Sequence, residues 1–226
     1  MKNVKLMIGL LCAGMLASGC GTMNNTAKGG IIGGTSGTAA GALIGGLVGK
    51  GKGKGAAIGA AVGAVVGTGT GVIIGRKMDK KAEEAAKIEG AEVEKVTDTN
   101  GLDAVKVSFT SGILFGFNSS ALSNDAKASL RELAQILRDD PTTDIAIIGH
   151  TDKVGTYEAN VKVSKDRAYA VENYLQECNV SPAQFKVVKG VAYDEYDESK
   201  SADENRRVEI YMYASKEMIQ QAEAQQ

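Results

Sequence analysis

Tryptophan is absent from this chain of 226 residues, histidine occurs once, proline twice and cysteine three times. Two prolines among 29 glycines exclude a collagen-like fibre, which needs glycine at every third position and abundant proline. Three cysteines, with Cys12 inside an apolar leader, leave too few thiols for a disulfide scaffold. A single histidine, His150, gives a metal site no second imidazole and has no cysteine near it for a nucleophile pair, so the expected set of metal ligands, catalytic residues and cofactors is none. Acidic residues are missing as far as Lys77, where 8 basic residues have accumulated, whereas residues 101–226 carry 14 Lys and Arg against 20 Asp and Glu. The near-neutral net charge of −1 therefore conceals two regions of opposite sign. A nucleic-acid binder would place its basic residues on the folded part, and here that part is acidic, so nucleic acid is excluded as a partner.

What is present begins with an export signal. Lys2 and Lys5 precede an apolar run at residues 6–16, which has the length of a signal-peptide core and is too short to span a bilayer. Residues 1–19 read as the signal. The run ends in Leu16-Ala17-Ser18-Gly19-Cys20, which resembles the lipobox of bacterial lipoproteins, with the leucine four rather than three places before the cysteine. The resemblance implies cleavage before Cys20 and lipidation of Cys20, followed by a short linker at 20–28; the other reading is an ordinary secretory signal. Gly21 after the cysteine favours the outer membrane over the inner. With Cys20 lipidated, Cys178 is left as a free thiol, placed on the apolar side of a predicted helix.

Between residues 29 and 75 lie 18 of the 29 glycines. They recur every fourth residue at 29, 33, 37, 41, 45 and 49, and again at 51, 55, 59, 63, 67, 71 and 75. Residues four apart stack on one helix face, so each series forms a smooth stripe against which another backbone packs closely. Lys50, Lys52 and Lys54 interrupt the two series with a basic turn, and each arm, 29–49 and 55–75, has 21 residues without a charge. A helix of that length is roughly 30 Å long, the thickness of a bilayer core. In water each interior glycine costs about 1 kcal/mol relative to alanine, whereas lipid nearly forces the helix. Residues 29–75 are therefore predicted as a glycine-zipper α-helical hairpin, similar to the segments found beside envelope lipoprotein domains. It serves as a membrane anchor or, alternatively, as the core of a homo-oligomer or pore. Residues 76–100 read as a charged, partly helical spacer.

From residue 102 the periodicity changes. Val105, Val107 and Phe109 alternate as in a strand; Ser123 is placed to cap a helix carrying Ala126, Leu130, Leu133, Ala134 and Leu137. Ile145 to Ile148 fit a buried strand, a second helix runs from about 156 to 178, and strands follow near 185–191 and 207–213. The order βαβαββ predicts an α+β domain at 101–214 with two helices on one mixed sheet, and 215–226 reads as a polar tail. Between the central strand and the second helix stand Asp152 and, further on, Asn160 and Arg167. A carboxylate and a bidentate guanidinium there could hold the two ends of a zwitterion. Equally, Asp152 could be a turn residue near a helix N-terminus and Arg167 part of a solvated helix face.

Three ordered segments weigh on that choice. GHTDKVGTYEANVKVSKDRAYAV at 149–171, NRRVEI at 205–210 and LFGFNSSAL at 114–122 together resemble the OmpA-like C-terminal domain, across about half of the chain. The resemblance implies non-catalytic binding of the peptidoglycan stem peptide, with the diaminopimelate side chain gripped between Asp152 and Arg167 and with Asn118, Thr151, Asn160 and Arg206 lining the pocket. It also implies a lipid-anchored protein that tethers the outer membrane to the cell wall, its domain in the periplasm. Val163 replaces the family's usual leucine, Asn118 its frequent aspartate, and the acidic run Asp194-Glu195-Tyr196-Asp197-Glu198 a loop that commonly holds glycine and proline.

Overall fold

The computed structural model describes residues 68–98, 100–116 and 119–225. The signal, Cys20, the linker and the hairpin up to residue 67 lie outside the described residues, as do Phe117 and Asn118. The elements are helix α1 (Thr68–Ala85), strands β1 (Glu92–Thr97) and β2 (Asp103–Thr110), the single turn α2 (Ser111–Leu114) and helix α3 (Asn124–Asp139). They continue with β3 (Thr143–Gly149), α4 (Tyr157–Glu177), β4 (Phe185–Gly190), the short α5 (Ala202–Asn205), β5 (Arg207–Ala214) and α6 (Lys216–Glu223). Strand order in the sheet is β1-β2-β5-β3-β4, antiparallel throughout except for the parallel pair β3 and β4. From β2 onward the predicted βαβαββ order is present.

Helices α3 and α4 form for the reasons their sequences display. The Ser123 hydroxyl accepts from Ala126 N at 3.0 Å and caps α3, whose apolar stripe Ala126, Leu130, Leu133, Ala134 and Leu137 is wholly buried. Thr156 caps α4 by accepting from Ala159 N at 3.2 Å, and Ala168, Val171 and Leu175 enter the same core. That core lies on the sheet face carrying Val105, Val107, Ile145, Ile147, Val208 and Ile210. The opposite face holds a second apolar patch of Val96, Ala104, Ala146, Ile148, Tyr211 and Tyr213, so β5 is buried on both sides rather than half-buried. Cys178, expected to be buried, is a free thiol only partly buried at the end of α4.

Three boundaries differ from the sequence reading. Residues 76–100 are not a solvated spacer. Helix α1 inserts Ile74, Met78, Ala82 and Ala85 into the main core, and β1 adds an edge strand that buries Val93 and Val96 on opposite faces. Nor is 215–226 simply a polar tail, because Ser215 caps α6 and Met218, Ile219 and Ala222 pack into that core against α1. Among the described residues, α1 and α6 thus join the two expected helices, α3 and α4, against the sheet. The second glycine arm is shortened as well: residues 68–75 belong to α1, with Thr70 and Ile74 fully buried in the domain. Among the described residues no helix is long and apolar enough to cross a membrane.

Candidate functional site

The site sits where β3 gives way to α4, and two glycines fix that junction. A Cβ on Gly149 would stand 2.1 Å from Ser164 O, and one on Gly190 would stand 2.2 Å from Lys165 N. Only glycine permits the parallel strands to approach the α4 backbone this closely. The Ser164 hydroxyl then accepts from Ala192 N at 3.1 Å, drawing in the chain after β4. Past the end of β3, His150 N donates to Arg207 O at 2.9 Å and Thr151 N to Ala192 O at 2.8 Å. This leaves Asp152 at the mouth between β5 and the loop that follows β4.

Asp152 is nearly buried. Its Oδ1 accepts from Val154 N at 3.0 Å, an aspartate turn, and its Oδ2 accepts from Arg206 Nη1 at 2.5 Å. Arg206 also contacts Asp203, so it bridges two carboxylates. Arg167 projects from α4 and is only 7% exposed. Its Nε donates to Ser119 O and its Nη1 to Ser111 Oγ, both at 3.2 Å, while the guanidinium lies over the Phe115 ring at 5.3 Å. No carboxylate among the described residues forms an ion pair with it. Burial first, and then the charge of Arg206, push the Arg167 guanidinium down from its ordinary value, and the Asp152 charge partly restores it. Arg167 and Arg206 thus both stand near Asp152 in a partly desolvated recess, and of the two guanidiniums only Arg206 is paired with a carboxylate among the described residues.

The remaining expected residues take other positions. Thr151 is buried and its hydroxyl donates to Asp152 O at 2.9 Å, which stiffens the loop. Asn160 uses Nδ2 to hold Val154 O at 2.9 Å, closing the turn that begins at Asp152. Both shape the recess through the backbone. Asn118 lies outside the described residues, and so does Cys20. Ser111, Phe115 and Ser119 were missed; a serine hydroxyl or a carbonyl carries no sequence signal of its role, and only the segment 114–122 hinted that its residues come near the site. The acidic loop forms a rim: the Tyr157 hydroxyl donates to Asp194 at 3.1 Å, Tyr157 meets Tyr193 edge to face at 5.4 Å, and Lys153 pairs with Glu198 and lies over Tyr196.

Residues 114–209, which contain Asp152, Arg167 and Arg206, match the model of the OmpA family. This segment is an OmpA-like domain. Residues 1–79 match the YMGG-like Gly-zipper, a stretch that includes the first turns of α1. The chain is 34% identical to the peptidoglycan-associated lipoprotein of Legionella pneumophila over 107 residues, 46% of this chain and 60% of that protein. It is 31% identical to outer membrane protein A of Bordetella avium over 116 residues, 50% of this chain and 60% of the other. With the probable lipoprotein YiaD of Escherichia coli it shares 31% identity over 120 residues, 51% of this chain and 54% of the relative. The chain thus spans little more than half the length of these relatives. In fold, the OmpA-like domain resembles a putative MotB like protein from Desulfovibrio vulgaris, with a TM-score of 0.52 at 22% identity over 64% of this chain and 91% of that one.

Proposed function

We propose that the OmpA-like domain binds peptidoglycan without cleaving it, taking the diaminopimelate side chain of a stem peptide between Arg167 and Asp152. The supporting observation is Arg167, a buried guanidinium with no carboxylate ion pair among the described residues. A buried charge left without a counter-ion is costly by several kcal/mol, and the carboxylate of a zwitterionic ligand would relieve that cost. Arg167 Nη2 has no partner among the described residues and is free to donate to such a carboxylate. Asp152, beside it, accepts from the ligand ammonium, while Arg206 holds the Asp152 carboxylate in place.

With lipid on Cys20 and the glycine zipper at the membrane, wall binding makes the chain a tether between outer membrane and cell wall, its domain in the periplasm. The test is co-sedimentation of the full chain, solubilised in detergent, with isolated sacculi. Arg167→Ala and Asp152→Ala are each expected to weaken binding by roughly 30-fold or more, the usual loss when one partner of a buried charge pair is truncated. Free diaminopimelate should compete with the unsubstituted protein. Undiminished pelleting of both variants overturns the assignment.

A further inference from the structure

On the far side of the junction from Arg167 lies a second group of polar side chains that the wall-binding reading does not use. His150 is 1% exposed, and neither Nδ1 nor Nε2 has a hydrogen-bond partner. Its Nε2 stands 3.2 Å from Glu209 Oε2, a close approach that lacks hydrogen-bond alignment. Glu209, also buried, has its other oxygen occupied, since Oε1 accepts from Arg207 Nε at 2.7 Å, while Oε2 accepts from the Tyr211 hydroxyl at 2.7 Å. Glu195, half-buried in the loop after β4, completes the group: one donor atom from each of His150, Glu195 and Glu209 lies within 4.8 Å of the others.

Two carboxylates and an unpartnered imidazole around one point are costly to leave as they are. An unsatisfied buried polar atom costs about 1–3 kcal/mol, and the carboxylates repel each other in a medium that screens poorly. A divalent cation would offset both carboxylate charges and occupy one imidazole nitrogen and two carboxylate oxygens, with a water in the remaining position. One nitrogen and two oxygens suit a first-row transition ion, zinc foremost, rather than magnesium or calcium, which prefer all-oxygen sets. Tyr211 and Arg207, each bonded to Glu209, supply the outer hydrogen bonds that orient a ligating carboxylate. Donors around tetrahedral zinc stand roughly 3.3 Å apart, so closing the site requires a shift of about 1–2 Å, which the loop bearing Glu195 can supply.

We propose that His150, Glu195 and Glu209 bind a divalent transition metal, zinc by their donor set, which clips the loop after β4 onto the ends of β3 and β5. The three ligands come from three separate segments, and the clipped loop is the one whose Tyr193, Asp194, Tyr196 and Glu198 contact Tyr157 and Lys153 at the rim. The site stands on its own residues and does not depend on what the recess binds.

The experiment uses the untagged full chain in detergent, stripped with chelator and titrated with zinc chloride by calorimetry, with magnesium chloride in parallel and metal content read by mass spectrometry. One zinc per chain is expected, with no response to magnesium. The melting temperature should rise by roughly 5–10 °C at a zinc concentration a hundredfold above Kd. Glu195→Gln, a loop change that leaves the core intact, should weaken zinc binding at least tenfold, and His150→Gln should abolish it. Absence of bound zinc overturns the proposal, and so does zinc affinity unchanged in Glu195→Gln, which also decides the matter if His150→Gln does not fold.

Discussion

Gly149 and Ser164 carry more of the site than their chemistry suggests. Because the position of a Cβ on Gly149 falls on the Ser164 carbonyl, Gly149→Ala must push α4 away from β3. Arg167 and Asp152 sit on opposite sides of that contact, so the substitution strikes both stability and the recess. The expected cost is about 3 kcal/mol, at the upper end for overpacking, read from the midpoint of urea unfolding, with sacculus binding reduced in parallel. At this scale the sequence was informative where the chemistry was local. Asp152 and Arg167 stood out through the resemblance of residues 149–171 to the OmpA-like domain, because their spacing alone fitted a turn residue and a solvated helix face equally well. The partners of Arg167 did not, since Ser111, Phe115 and Ser119 lie about fifty residues away and reach it only through the sheet. His150 was set aside for want of a second histidine, and nothing in the sequence says that pairing of β3 with β5 brings Glu209 beside it.

Among the elements, α3, α4 and β5 were legible because each carries a sustained period, of 3.6 or of 2, and β3 because its short apolar run Ile145 to Ile148 fits a strand buried on both faces. Strand β1 was not: its buried residues Val93 and Val96 are three apart, one on each face, and between and beside them are Glu92, Glu94 and Lys95. Helix α1 was hidden because its stripe of Ile74, Met78, Ala82 and Ala85 straddles the last ladder glycine and was divided between two regions. One ion-pair cluster fastens α1 to the end of α3: Lys81 Nζ donates to Asp140 Oδ2 at 2.8 Å, with Lys77 at 3.7 Å from the same oxygen. Burial alone would raise the Asp140 carboxyl, but hydrogen bonds from Lys81 and Thr142 and the charges of Lys81 and Lys77 outweigh it and hold the group below the usual aspartate range. A carboxyl lowered in the folded state contributes stability above its unfolded value of about 3.9 and loses it as pH falls towards the folded value. Asp140→Asn should therefore lower the melting temperature at pH 7, and the gap from the unsubstituted protein should narrow as pH falls below about 4.

For the whole molecule, the domain begins earlier than its recognisable motifs. Ile74, Met78, Ile88, Val93 and Val96 are all buried and all precede residue 101. Burying five side chains of this size contributes roughly 10 kcal/mol, as much as the net stability of an entire domain. A fragment of residues 101–226 should accordingly fail to give a cooperative thermal transition, whereas one of residues 68–226 should unfold in a single step. Circular dichroism melting curves of the two fragments make the comparison, and equal stability would show that α1 and β1 contribute little.

The packing of α1 also bears on distance. Twenty-five residues of solvated spacer, at 76–100, would have let the OmpA-like domain wander roughly 80–90 Å from its attachment when stretched. Folded into a helix and an edge strand, those residues supply no slack, and a pull on residue 68 is delivered straight into the sheet that carries Asp152. If the chain carries the lipid proposed at Cys20 and binds the wall as proposed, the whole span between membrane and wall falls to residues 21–67, the stretch that also carries most of the glycine ladder. Every residue of that ladder held in the lipid is one withdrawn from the tether, so depth of anchoring and length of reach trade against each other within a single segment.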